Sequence, residues 1–119
     1  MLEFGNQYAG DRLMPTTPFE KLDELAEAVA MCPPKGYVDT VRAVFTYDAS
    51  GDRAKVKVPT LILIGDSDDA TPMPESEFIR DGIPGSEIRI IPGAGHLTTI
   101  DNPDAVTAEL GAFLDAQAK

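Results

Sequence analysis

Residues 58–72, VPTLILIGDSDDATP, decide the fold that this sequence predicts. The run 60–64 is almost entirely branched and apolar, and Gly65 closes it. A short apolar run that ends at a glycine is typical of a strand buried on both faces. Because strands of that kind belong to parallel sheets covered by helices, the stretch predicts an α/β fold.

The residues that follow predict a strand-helix-strand unit. A helix is expected over about residues 74–81, where two prolines open it, and a second strand over residues 87–91, which the pair Pro92-Gly93 ends. A unit of this kind pairs its two strands in parallel and is almost always right-handed. The carboxyl ends of both strands then lie at one edge of the sheet.

A last helix is predicted to begin at Pro103. Asn102 has the side chain of an N-cap, and Pro103 fits the first turn. The apolar side chains recur at helical spacing, which predicts that the helix lies against the sheet. This stripe consists of Val106, Leu110, Phe113 and Leu114.

The first 55 residues give weaker signals. Residues 1–16 mix glycine, asparagine and proline without a period, and we expect a loop or a remnant of a strand there. The sequence TPFE at 17–20 has the form of a capping box and predicts a helix of about residues 18–31. A second helix follows, with Tyr37, Val41, Val44 and Phe45 on one face. The stripes around Leu22 and Phe45 are expected to be core.

Two segments of one compact unit are therefore predicted. Residues 1–55 form an N-terminal loop and helices, and residues 56–119 form a βαβα lobe. A chain of 119 residues is long enough for one modest core.

Composition and charge exclude several kinds of partner. Twenty acidic side chains against ten basic ones give a net charge of −10, which repels nucleic acid and anionic lipid. No apolar run approaches the roughly 20 residues that cross a bilayer. The first residues lack the features of a signal peptide, and Cys32 alone cannot form an internal disulfide. We expect a cytoplasmic protein with neither a nucleic acid nor a membrane partner.

Two loops at the predicted sheet edge carry the candidate chemistry. Asp68 follows the first strand and His96 follows the second. Neighbouring strands lie about 4.8 Å apart, so the two side chains can reach hydrogen-bonding distance. A carboxylate that accepts from one imidazole nitrogen fixes the tautomer of the ring and leaves the other nitrogen to act as a general base. The prediction is a catalytic pair, Asp68 and His96, with neither a metal nor a cofactor.

These residues resemble a known family. The stretch 58–72 is similar to the segment that bears the catalytic acid in α/β-hydrolases, and the resemblance extends through the sequence IPGAGH at 91–96 to Phe113 and Leu114. It is strongest toward the 3-oxoadipate enol-lactonase and esterase branch. The resemblance implies the C-terminal portion of an α/β-hydrolase fold, with Asp68 as the acid and His96 as the base. It also implies that the helices before residue 55 are the end of a lid.

The sequence departs from that family at the nucleophile. The Gly-x-Ser-x-Gly elbow occurs nowhere in the 119 residues, because no serine has its glycine frame. If the chain takes part in catalysis, the nucleophile comes from another polypeptide, from an upstream segment, or from an improvised residue such as Ser67 or Cys32.

Two other interpretations of the acidic loop fit the sequence less well. Asp66, Asp68 and Asp69, with Glu77, loosely match a calcium loop, although Thr71 replaces the glycine of its sharp turn. The aspartate pair after a strand also resembles the aspartyl-phosphate motif of haloacid dehalogenase-like phosphatases. Neither interpretation uses His96.

Two classes of function follow. The first is an ester, thioester or lactone hydrolase completed by a complementary N-terminal half. The second is a non-catalytic assembly module, in which a strand edge without its usual neighbour pairs with a second copy of the chain.

Overall fold

The computed structural model describes residues 1–118. One residue of the predicted segment 56–119 therefore lies outside the described part. The described residues form a small parallel sheet with helices packed against it, in agreement with the α/β prediction. In chain order the elements are α1 (Leu2–Arg12), α2 (Phe19–Ala30), α3 (Pro34–Thr46), a 3-10 helix (Ser50–Lys55), β1 (Leu61–Gly65), α4 (Met73–Gly82), β2 (Glu87–Ile91), α5 (Thr98–Asp101) and α6 (Pro103–Gln117).

The two strands pair in parallel, and α4 connects them. Leu61 pairs with Glu87, and the register continues to Gly65 opposite Ile91. The predicted strand-helix-strand unit is therefore confirmed. Within β1, Ile64 is buried, but the preceding residues are only half-buried. The prediction of a strand buried on both faces is met only at its carboxyl end.

The core lies where α6 crosses the sheet. Ile91 and Ala94 are fully buried, and Val106 of α6 packs against them. The predicted contact of α6 with the sheet is confirmed, but Leu110 and Leu114 of its stripe are exposed by 44% and 56%. The two strands lie about 5 Å apart and offer a narrower surface than a helix about 10 Å across. Within residues 1–118, part of the apolar stripe is therefore left uncovered.

The prediction of a loop over the first residues is wrong, because they form α1. This helix has little apolar periodicity, and packing against α2 stabilises it. A Cβ on Gly5 would lie 2.3 Å from the carbonyl oxygen of Ala26, so only glycine allows the two helices to approach this closely. Ala9, one turn further along, is 1% exposed. Small residues that permit a close helix crossing give no hydrophobic signal in the sequence.

Helices α2 and α3 lie where the sequence placed them, but the apolar stripe of α3 is not core. α3 has no buried residue, and the Phe45 side chain is 85% exposed. One edge-on contact between Phe4 and Tyr37, with ring centroids 5.3 Å apart, joins α3 to α1. Within residues 1–118 no helix has the length and apolar character needed to span a membrane.

Candidate active site

The loops that follow β1 and β2 are in direct contact at the carboxyl edge of the sheet. The amide of Asp66 donates to the carbonyl of Ile91 at 3.0 Å, and that of Ser67 donates to Ala94 at 3.0 Å. A Cβ on Gly65 would lie 2.2 Å from the Ala94 carbonyl oxygen, so glycine is needed where the loops meet. Backbone contact at this edge fixes the relative position of the side chains that follow.

Asp68 and His96 meet across this edge. The Nδ1 atom of His96 lies 3.1 Å from Oδ2 and 3.2 Å from Oδ1 of Asp68. The Asp68 side chain is 6% exposed and that of His96 is 31% exposed, so the carboxylate is sheltered while the imidazole reaches solvent. The structure brings together the two residues that the sequence singled out, and their catalytic roles stay predictions.

The loop holds the Asp68 carboxylate in its charged form. Its Oδ1 accepts from the amides of Ala70 at 3.0 Å and Thr71 at 2.9 Å, and its Oδ2 accepts from the Thr71 hydroxyl at 3.0 Å. Burial alone would raise the pKa of Asp68, but the hydrogen bonds from Thr71 and His96 outweigh burial and lower it below its ordinary value. An ionised carboxylate therefore faces Nδ1 of His96.

Asp66 holds the second loop in place. Its Oδ2 accepts from the amide of Gly93 at 2.9 Å, and its Oδ1 accepts from the Ser67 hydroxyl at 3.1 Å. The bond from Gly93 is the main cause of the lowered pKa of Asp66. The described residues contain no group of three or more side chains arranged to bind a metal. The contacts of Asp66 are those of a loop anchor, which favours neither the cation site nor the aspartyl-phosphate interpretation.

Asp101 and Asn102 are site residues whose tertiary contacts the sequence reasoning missed. Asp101 ends α5 and accepts from the amides of Gly95 at 2.8 Å and Met14 at 3.0 Å. Its Oδ1 also accepts from the Thr17 hydroxyl. The predicted capping role of Thr17 is therefore wrong, and α2 begins without a side-chain cap. No local pattern signals a contact between residues 84 positions apart.

Asn102 caps α6 as predicted and also holds the His96 loop. Its Oδ1 accepts from the amide of Ala105 at 3.2 Å. Its Nδ2 donates to the carbonyl of Pro92 at 2.8 Å.

A cavity of about 350 Å³ opens beside the imidazole. Residues 10–15 form one wall, and His96 lies on the opposite wall together with Ser67, Asp69, Ala70 and Gly95. Of the two improvised nucleophiles, Ser67 lines this cavity with its hydroxyl bonded to Asp66. Cys32 is exposed beyond the end of α2 and is not a lining residue.

This arrangement can orient an imidazole and stabilise its protonated form. Nδ1 faces the ionised Asp68, and the described residues give Nε2 no hydrogen-bond partner. An imidazole held in this way can remove a proton through Nε2. Acyl transfer also requires a nucleophile and donors to an oxyanion.

Comparison with known proteins identifies the fold. The chain is 32% identical over 98 residues to the 3-oxoadipate enol-lactonase 1 of Acinetobacter baylyi, a match that covers 79% of the chain and 36% of that protein. An esterase from Exiguobacterium antarcticum superposes over 96% of the chain and 42% of its own length, with a TM-score of 0.88 and 18% identity. The enol-lactonase from Burkholderia xenovorans superposes over 96% of the chain and 45% of its own length, with a TM-score of 0.84 and 20% identity.

The chain thus spans less than half of the length of each of these relatives. No protein-family model matches the sequence. The parallel pairing of the strands and the match in sequence both point to the same fold. The chain has the fold of the C-terminal part of an α/β-hydrolase and belongs to the α/β-hydrolase superfamily.

Proposed function

We propose that this chain supplies the acid, Asp68, and the general base, His96, of a hydrolase that cleaves ester, thioester or lactone bonds. The observation that carries the proposal is the contact between His96 Nδ1 and the sheltered carboxylate of Asp68, 3.1 Å away. The relatives include an enol-lactonase and an esterase, which supports a small-molecule ester or lactone as the substrate. The cavity of about 350 Å³ next to His96 is large enough to hold a small molecule of this kind.

The mechanism follows from the position of the imidazole. The ionised Asp68 accepts a hydrogen bond from Nδ1–H of His96, and this tautomer leaves Nε2 unprotonated. Nε2 takes the proton of a serine hydroxyl as that oxygen attacks the carbonyl, and then gives the proton to the leaving group, which forms an acyl-enzyme. Water attacks the acyl-enzyme by the same route and restores the serine. No step requires a metal or a cofactor.

The serine comes from outside these 119 residues. None of their serines has the Gly-x-Ser-x-Gly frame, and the Ser67 hydroxyl donates to Asp66. We place the nucleophile and the oxyanion donors on a complementary N-terminal half, either a separate polypeptide or a segment upstream. A cytoplasmic location stays a prediction from the sequence.

The test supplies the missing part. The chain is produced together with a segment of an α/β-hydrolase that carries the nucleophile elbow, and hydrolysis of p-nitrophenyl acetate is measured. His96→Ala should lower kcat by about 10⁶-fold, because the serine loses its base, and Asp68→Asn by about 10⁴-fold, because the base loses its tautomer. Asp104→Ala, which removes an exposed carboxylate on α6, is the matched control and should leave kcat unchanged. Hydrolysis by the complex at the same rate with His96→Ala would contradict the proposal.

A second candidate function is an assembly module, and the exposed apolar surface of the chain favours it. Val44 and Phe45 on α3 are 64% and 85% exposed, and Ile90 on β2 is 53% exposed. The radius of gyration is 16.2 Å, above the about 13.5 Å of a compact domain of this length. Surfaces of this kind bind a partner, which is either the complementary half or a second copy of the chain.

Light scattering of the isolated chain distinguishes the two partners. A stable dimer would favour the module formed by two copies. A monomer that becomes a stable one-to-one complex when the complementary half is added would favour the hydrolase. A chain that stays monomeric and does not bind the complementary half would contradict both functions.

A further inference from the structure

Three side chains hold the loop that carries His96, and one of them binds the backbone of the residue that precedes it. Asp66 accepts from the amide of Gly93 at 2.9 Å, and Asn102 donates to the carbonyl of Pro92 at 2.8 Å. Asp101 accepts from the amide of Gly95 at 2.8 Å, and Gly95 precedes His96. The bond from the Gly95 amide to Asp101 is therefore the nearest side-chain anchor to the backbone of His96.

The same carboxylate also holds the opposite wall of the cavity. Its Oδ1 accepts from the amide of Met14 at 3.0 Å and from the hydroxyl of Thr17, which is 8% exposed. The two walls are already close, since a Cβ on Gly95 would lie 3.3 Å from the Arg12 carbonyl oxygen. Asp101 thus joins the segment 12–17 to the loop of the general base through one charged group.

We infer that Asp101 is a positioning residue that holds His96 against Asp68 and fixes the wall of the substrate cavity formed by residues 12–15. The inference rests on the proposed function of the Asp68 and His96 pair. A carboxylate forms stronger hydrogen bonds than a neutral acceptor, and each of its oxygens faces a different part of the chain. Gly95 has no side chain to stabilise its conformation, so the loop depends on these bonds.

Loss of Asp101 should weaken the contact between His96 and Asp68. Nδ1 of His96 lies 3.1 Å from Oδ2 of Asp68. If the loop moved away by about 1 Å, the distance between these two atoms would exceed the range of a hydrogen bond. A displacement of that size lowers the rate of a positioned reaction by about 100-fold.

The test uses the tautomer of His96 and needs no enzymatic activity. His96 is the only histidine in the sequence, so its ring nitrogens are assigned directly in long-range ¹H–¹⁵N spectra of the full chain. At about pH 9 the spectra report the fraction of the Nδ1–H tautomer, which the contact with Asp68 should favour. Hydrogen exchange at the amides of Gly95 and Met14 reports the two bonds of Asp101.

The variants Asp101→Ala and Asp101→Asn should shift His96 toward the tautomer mixture seen in Asp68→Asn. Amide exchange should become at least tenfold faster at both amides in Asp101→Ala and at one of them or both in Asp101→Asn. Asp101→Glu keeps the carboxylate and should recover part of the Nδ1–H fraction. Asp104→Ala, three residues further along, should behave as the unmodified chain. Circular dichroism reports folding, and if the alanine variant does not fold, Asp101→Asn decides, because it preserves the shape and one acceptor oxygen.

The possible outcomes separate this inference from the proposed function. If Asp68→Asn changes the tautomer but Asp101→Ala and Asp101→Asn leave the tautomer and the exchange of both amides unchanged, the positioning role is overturned while the catalytic pair stands. If the unmodified chain lacks the Nδ1–H tautomer, or Asp68→Asn does not alter it, the pair itself fails.

Discussion

Replacement of Gly65 by alanine should separate the two loops that carry the candidate catalytic pair. Gly65 ends β1, and an added Cβ would lie 2.2 Å from the Ala94 carbonyl oxygen and 2.3 Å from that of Gly95. Both obstacles are backbone atoms, which cannot rotate away as a flexible side chain can. The loop of His96 must therefore retreat by about 1 Å to restore an ordinary contact.

The size of the effect follows from the contacts that this retreat disturbs. Overpacking a buried position costs about 1–3 kcal/mol. The bond from the Ser67 amide to the Ala94 carbonyl, 3.0 Å long, would also be lost and is worth about 1 kcal/mol. We expect Gly65→Ala to lower the free energy of unfolding by about 2–4 kcal/mol, a large part of the stability of a small domain.

Urea unfolding followed by circular dichroism measures this difference, and Gly111→Ala is the matched control. Gly111 lies inside α6, and a Cβ there would have no atom within 4 Å. The same substitution should therefore raise the free energy of unfolding by about 0.5–1 kcal/mol, because alanine favours the helix. A Gly65→Ala chain as stable as the unmodified protein, with an unchanged m-value, would refute the proposed close contact of the loops.

Two further predictions concern acid stability and the α6 cap. The pKa values of Asp66 and Asp68 are lower in the folded chain than the ordinary value, so the stabilisation is complete above about pH 4 and is lost as the pH falls through the folded-state values. Asp66→Asn should flatten this acid slope in urea unfolding measured from about pH 6 to pH 3, and an unchanged slope would contradict the assignment. Asn102→Ala should cost about 1–2 kcal/mol in the same assay, and Asn102→Asp, which keeps the cap acceptor but not the donor to Pro92, should recover about half of that.

The C-terminal lobe was predictable because its signals are local. The strand 87–91 was predicted with the bounds that β2 has, and α6 begins at Pro103 as expected. Apolar runs closed by glycine or proline specify where strands end, and an asparagine before a proline specifies where a helix starts. Parallel pairing then places the residues after each strand at one edge, which is why Asp68 and His96 could be paired in advance.

The N-terminal segment was less predictable because its structure depends on contacts between distant residues. Helix α1 packs through Gly5 and Ala9, which carry no hydrophobic pattern. Thr17 has the sequence of a helix cap, but its hydroxyl is bonded to Asp101. The apolar stripe of α3 has the spacing of a core helix, yet Phe45 is 85% exposed because no element of the described chain covers it. Periodicity indicates which face is apolar, but not whether another surface lies against it.

The amino-acid sequence alone therefore predicted the α/β class, the parallel strands and the proximity of Asp68 and His96. Each follows from the order of residues within a few turns or strands, where the spacing of apolar side chains dictates the backbone. The tertiary structure decided which polar groups hold these residues in place, above all the bonds from Gly95 and Met14 to Asp101. A hydrogen bond between segments 87 residues apart depends on how the helices and strands pack together, and that packing leaves no trace in the local sequence.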